Sequence, residues 1–96
     1  MATFSIERAD DGRIHVSGRF DAGRVDEANA VFDSLDGDTI LDFSELRYIS
    51  SVGLGILVAA QQRLQEAGFR LSIVNASAHI RELFRITRFD ILIDIE

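Results

Sequence analysis

The chain has 96 residues, 16 acidic against 10 basic side chains for a formal net charge of −6, and neither cysteine nor proline. That length suits one domain, 1–96, whose core needs no metal or disulfide to fold, and the missing cysteine excludes disulfides, thiolate nucleophiles, iron–sulfur clusters and thiolate zinc sites. Residues 1–48 hold eleven acids and five arginines while 49–96 hold five of each, an acidic front half that disfavours binding to nucleic acid or to an anionic membrane surface. Every basic residue is an arginine, so there is no lysine for Schiff-base chemistry or for a Walker-type phosphate loop. Nothing near Met1 resembles a signal peptide, and no apolar run approaches the roughly 20 residues of a membrane span. The expectation is a soluble, cytoplasmic protein with no membrane insertion.

Thr3 to Glu7 and Arg13 to Ser17 alternate polar and apolar residues around the turn sequence Asp10-Asp11-Gly12, which predicts a hairpin. Asp21 stands where a helix N-cap would, and Val25, Ala28, Phe32 and Leu35 follow at helical spacing, so a helix is expected over about 23 to 35. Asp36-Gly37-Asp38 ends it. Thr39 to Phe43 reads as an interior strand, with a further short extended stretch at Arg47 to Ile49. From Gly53 to Ala67 the stripe Leu54, Leu57, Val58, Gln61 and Leu64 predicts a long helix, closed by Gly68 in a left-handed cap.

Arg70 to Val74 reads as another strand, and Ser77 starts a helix over Ala78 to Thr87 with the apolar stripe Ile80, Leu83, Phe84 and Thr87. Arg81, Arg85 and Arg88 are placed on its opposite face. Ile91-Leu92-Ile93 is β-rich and is expected to form a last strand or a docked tail. The alternation implies βαβ crossovers, hence an α/β fold in which helices pack against a single-layer mixed β-sheet extended by the N-terminal hairpin.

The most informative segment is Ser50-Ser51-Val52-Gly53-Leu54-Gly55, because it sets two hydroxyls where a strand gives way to the long helix. The first turn of a helix has unpaired N–H groups and the positive end of the dipole, so an acceptor or an anion is stabilised there. Either serine can be the N-cap, and either can be an exposed acceptor for a phosphate. Enzyme chemistry finds less support. The nucleophile elbow of serine hydrolases needs glycines on both sides of the serine, yet Ser51 has Ile49 two positions before it. His15 and His79 read as surface histidines. Gly53-Leu54-Gly55 lacks the third glycine of a dinucleotide loop, which would fall at Val58, and the turn acids lack the spacing of a calcium loop. The sequence calls for no catalytic residue, no metal and no cofactor. The arginines at 81, 85 and 88 offer a face for an anion or an acidic partner, with Glu82 lowering its potential.

Read together, the stretch from Ile40 to Leu57 resembles the central signature of the STAS domain family: an apolar strand, an acidic turn, then serines and Gly-Leu opening a long helix. Gly18-Arg19-Phe20-Asp21 is similar to its upstream Gly-x-Leu-Asp element, and Ala67 to Leu71 with Val74-Asn75 to the stretch after the helix. The likeness is to the single-domain bacterial anti-sigma factor antagonists and covers essentially the whole chain. It implies a phosphorylation-controlled, non-enzymatic switch. The unphosphorylated form would bind a serine kinase that is also the anti-sigma factor, and so release the sigma factor, while a metal-dependent serine phosphatase would restore that form.

Ser51 aligns with the phosphorylated serine, Ser50 being the less favoured acceptor, and the recognition surface implied is Asp21, Ser50, Ser51, Val52, Gly53 and Leu54. A weak homodimer is left open. The alternative is an accessory subunit docked on the ATPase of a lipid or anion transport complex. Three positions depart from the family pattern: Ser50 where aspartate is usual, Val52 where a small residue is usual, and Thr87-Arg88-Phe89 in place of Ser/Thr-Gly-Leu.

Overall fold

A computed structural model describes residues 4–96; Thr3, expected at the start of the first strand, lies outside them. The hairpin pairs β1 (Phe4–Arg8) with β2 (Ile14–Phe20), antiparallel, from Phe4 opposite Gly18 to Arg8 opposite Ile14. Every other pairing is parallel. Strands β3 (Thr39–Asp42) and β4 (Leu46–Ile49) follow one another along the free edge of β2, β3 at Ile14 and His15 and β4 at Gly18 to Phe20. The step between them is bridged by the Gly18 N–H, which donates to the Glu45 carbonyl at 3.0 Å. Strand β5 (Leu71–Val74) adds to β3, and β6 (Asp94–Ile95) adds to β5.

Alternation decides which face of this sheet is covered. Ile14, Val16 and Phe20 of β2, Leu41 of β3 with Phe43, and Leu71 and Ile73 of β5 are buried. They meet Ala28 and Phe32 of α1 (Val25–Phe32), Leu57, Ala60 and Leu64 of α2 (Ser51–Glu66), Ile80 and Phe84 of α3 (Ala78–Ile86), and Phe89 of α4 (Phe89–Leu92) in one apolar cluster. The mixed sheet with helices against it is the expected architecture.

Several details differ from the sequence reading. Residues 23 to 35 are not one helix: a 3₁₀ turn at Ala22–Arg24 precedes α1, and the chain past Phe32 closes by turn bonds from Ser34 to Val31 and from Leu35 to Phe32. The tighter turns still bury Leu35. The buried stripe of α2 is Gly53, Leu57, Ala60 and Leu64, rotated from the expected one, because small residues let the helix approach the sheet where Leu54 and Val58 would hold it off. Thr87 is exposed, its hydroxyl donating to the Leu83 carbonyl at 2.8 Å. Arg88 lies past the end of α3 and so does not extend the arginine face.

Ile91 and Leu92 are helical rather than extended. Phe89 and Ile93, four apart, both reach the core while Ile91 between them is exposed, which a single helical turn achieves and a strand, whose i, i+2 and i+4 share one face, does not; the strand begins only at Asp94. The arginine of α2 has a structural task that the sequence did not disclose. Arg63 donates to the carbonyls of Phe32 and, at 3.2 Å, of Leu35, satisfying the C-terminal end of α1 from the neighbouring helix.

Candidate functional site at the start of the long helix

Strands β2 and β4 finish side by side, Phe20 opposite Ile49, and the chain leaves β4 directly into α2. The Ser50 N–H donates to the Phe20 carbonyl at 2.9 Å, which ties the serine segment to the residue immediately before Asp21. Ser50 is extended, with φ −87° and ψ 171°. Its Oγ accepts the Gly53 N–H at 3.2 Å and its carbonyl accepts the Leu54 N–H at 3.0 Å. Ser50 is therefore the N-cap. Ser51 is the first residue of the helix and is exposed, and its hydroxyl is engaged by no hydrogen bond among the described residues.

Gly53 sets how close the helix comes. A Cβ there would lie 2.8 Å from Ile49 Cγ1 and 3.1 Å from the Phe20 carbonyl oxygen, so no larger residue lets the first turn rest on the strand ends. Gly55 is different: a Cβ would meet nothing within 4 Å. Asp21 caps the 3₁₀ turn, its Oδ1 accepting the Gly23 N–H at 3.1 Å. The structure thus brings Asp21, Ser50, Ser51 and Gly53 together. Val52 stands out from the surface at 43% exposure, whereas Leu54 is half-buried and packs against the core, so it offers only part of its side chain. Next to the site, the Arg19 guanidinium stacks 4.2 Å over the Tyr48 ring.

A second polar assembly supports the strand ends and was not foreseen. Asp42 is buried; its Oδ1 accepts the Ser44 N–H at 2.9 Å, its Oδ2 accepts the Asn75 side-chain amide at 3.0 Å, and Arg13 approaches at 3.5 Å. Burial opposes its ionisation, but the Ser44 hydrogen bonds, the Asn75 amide and the nearby His15 outweigh burial and hold its carboxyl below the ordinary range. Asn75 adopts the left-handed conformation, φ 61°, to make this contact. The carboxylate therefore clasps the β3–β4 turn to the loop after β5. An acid at an alternating strand position was the only signal for it.

Other candidate groups are dispersed. His15 lies 3.9 Å from Asp11, near the opposite end of β2 from Ser50, and His79 is exposed at the start of α3. Arg85 is paired with Glu82, which lowers the Glu82 pKa, so that arginine is not free to hold a partner's anion. Among the described residues there is no group of three potential metal ligands and no helix long and apolar enough to cross a membrane.

A mixed sheet with helices on one face, whose long helix begins at a capped serine followed by an exposed one, defines a small α/β protein presenting a hydroxyl on a rigid helix start. The family model described as "Mlab, STAS domain" matches residues 4–94, and the chain belongs to the STAS domain family. It is 32% identical over 87 residues to the anti-sigma-B factor antagonist of Listeria monocytogenes, covering 86% of this chain and 76% of that protein. Among solved structures it is similar in fold to an anti-sigma factor antagonist from Mycobacterium paratuberculosis, with a TM-score of 0.75, 23% identity and coverage of 99% and 85% of the two chains. The phosphorylated form of the Bacillus cell fate determinant SpoIIAA gives a TM-score of 0.69 at 18% identity over 98% of this chain and 91% of that one.

Proposed function

We propose that this protein is an anti-sigma factor antagonist working as a protein-binding switch, with Ser51 as phosphoacceptor and Ser50 as the cap that presents it. The observation that carries the assignment of roles is the division of labour between the two serines: Ser50 Oγ is engaged by the Gly53 N–H, while Ser51 is exposed. The curated relative is named an anti-sigma-B factor antagonist, and SpoIIAA, of the same fold, has been solved both phosphorylated and unphosphorylated. These names favour the antagonist over a transport-complex accessory subunit. In this reading the protein is a regulatory binding protein whose partners are a serine kinase serving as anti-sigma factor and a metal-dependent serine phosphatase.

Electrostatics supplies the mechanism. The helix start leaves the N–H groups of Ser51 and Val52 without intrahelical acceptors, so the free protein tolerates a phosphate there. Phosphorylation adds about −1.5 to −2 charges and three acceptor oxygens. A partner seated over Ser51, Val52 and Asp21 against apolar or acidic surface would have to desolvate that charge, and each 1.4 kcal/mol of penalty lowers affinity about tenfold. Binding is lost while the fold is untouched.

The test is incubation with the cognate kinase, ATP and magnesium, followed by peptide mass spectrometry. Phosphate on Ser51, its loss in Ser51→Ala, and weakened kinase binding by Ser51→Asp are expected. Phosphate on neither serine, or binding indifferent to Ser51→Asp, would overturn the switch.

A further inference from the structure

The opposite end of the molecule carries features that the serine site does not use. Helix α3 joins the end of β5 to the start of β6 and so runs back against the strands. Residues 86–92 consequently lie at the end where the parallel strands begin, remote from Ser51. That segment holds three of the six exposed large hydrophobic residues among the described ones: Ile86 at 65%, Ile91 at 71% and Leu92 at 50% exposure. Ile91 and Leu92 line one surface groove with Phe69, and exposed apolar side chains gathered at one end of a molecule offer an interaction surface.

Arg88, between them, is held at φ 59° and ψ 23°, the left-handed conformation that follows a helix and ordinarily belongs to glycine. Asn75, the other non-glycine at positive φ, is held there by its bond to Asp42. Arg88 has no such reason: among the described residues its side chain makes no hydrogen bond or ion pair. The chain keeps a strained arginine at a position where the fold would be better served by glycine.

The same end of the sheet supplies a complement. An open groove there is lined by Asp11, Gly12, Arg13, Asp38 and Ile40. Ile40, its apolar lining residue, is 37% exposed. Arg13 is turned to Asp42, while Asp11 and Asp38 each use Oδ1 on a backbone N–H, of Arg13 and Arg70 respectively, at 2.9 Å. Each retains Oδ2; that of Asp11 lies 3.9 Å from His15. One end of the molecule therefore presents both an arginine unpaired among the described residues, with Asp90 and exposed aliphatic side chains near it in the chain, and a groove whose two carboxylates and Ile40 stand beside an Arg13 already turned to Asp42.

We infer that two copies of this chain meet at this end about a two-fold axis, Arg88 and Ile91 of each lying against Asp11, Asp38 and Ile40 of the other. Two-fold pairing needs two complementary patches on one surface, each used twice. The contact has an apolar centre with an arginine and carboxylates around it, the usual anatomy of a protein interface. It leaves Ser51 of both copies open, so it is independent of the phosphorylation reading.

Sedimentation equilibrium across a concentration series, extending to millimolar protein, tests it. The mass is expected to rise from 10.7 kDa toward twice that value and to stop there. Arg88→Gly relieves the backbone strain, so misfolding cannot account for its effect, and Ile40→Gln alters the groove. Each is expected to raise the dimer dissociation constant at least tenfold. Ser51→Asp is expected to leave it unchanged. A monomer at every concentration, a mass that keeps climbing past two copies, or association indifferent to both Arg88→Gly and Ile40→Gln overturns the proposal.

Discussion

The two ends of the helical layer treat glycine in opposite ways. At the start of α2 the fold demands a glycine and has one, since a Cβ on Gly53 would lie 2.8 Å from Ile49 and 3.1 Å from the Phe20 carbonyl. After α3 the backbone is in the conformation that glycine favours, and the chain has Arg88 instead. The first position was settled by the needs of packing. At the second, a side chain has been kept against the preference of the backbone, which is a signature of something outside the packed core.

The sharpest way to break the comparison is Gly53→Val. Overpacking a filled site costs typically about 1–3 kcal/mol, and a branched side chain against a strand carbonyl belongs at the upper limit, so a loss of about 3 kcal/mol is expected in urea unfolding. Because the first turn must lift from Phe20 and Ile49, kinase binding should fall with it. Gly55→Ala, two residues on, is the control. Its methyl enters open space, and the helix gains about 1 kcal/mol from the better helix former.

Next in size is the clasp beneath the site. Asp42→Asn replaces an ionised acceptor by an amide that presents donors to Asn75 and Arg13, and a loss of about 2 kcal/mol is expected, in the range for hydrogen bonds to charged groups. Since the folded state holds the Asp42 pKa below its unfolded value, the carboxylate stabilises the protein above the unfolded pKa, near about 4. That contribution disappears as pH falls through the lower folded pKa. The gap between wild type and Asp42→Asn in urea unfolding should thus be full at neutral pH and close in strong acid; a gap independent of pH would mean the clasp acts by shape alone.

A smaller effect separates the two serines. Ser50→Ala removes the cap on Gly53 and should cost about 1 kcal/mol, whereas Ser51→Ala removes an exposed hydroxyl and should leave stability nearly unchanged. Ser50→Asp introduces the acid usual in the family; beside the helix dipole it should recover stability to within about 0.5 kcal/mol of wild type. Thermal unfolding of the three variants orders them. Equal losses for both alanines would remove the distinction between cap and acceptor.

The sequence made much of this site legible because its determinants are local. A serine before a helical stripe and a glycine in the first turn are near neighbours in the chain, and Asp21, though 29 residues upstream, announces itself as a cap for the turn that follows it, so the chemistry of each is readable from local spacing. The Asp42 clasp was not readable, since Asn75 is 33 residues away and only the parallel pairing of β3 with β5 brings it there. Arg63 was illegible for the same reason, reaching carbonyls 28 and 31 residues away. Ile91 and Leu92 were misread as extended because a short apolar run carries no period of its own; what decided it was that Phe89 and Ile93 needed the core and Ile91 between them did not. At Arg88 the departure from a family glycine was visible, but its cost depends on a φ angle that only the structure shows.

That cost gives the smallest of these effects and the cleanest test of the comparison. A left-handed non-glycine residue is disfavoured by about 1–2 kcal/mol, but glycine also loosens the unfolded chain by about 0.4–1 kcal/mol. Arg88→Gly should therefore stabilise the monomer by a net of roughly 0.5 kcal/mol, or about 2–4 °C in Tm for a chain of this size. The measurement belongs in dilute protein, where association adds nothing. A rise in Tm there, with weakened association at high concentration, would show an arginine retained at the expense of its own fold. A fall in Tm would mean that Arg88 stabilises the monomer after all, and the contrast with Gly53 would vanish.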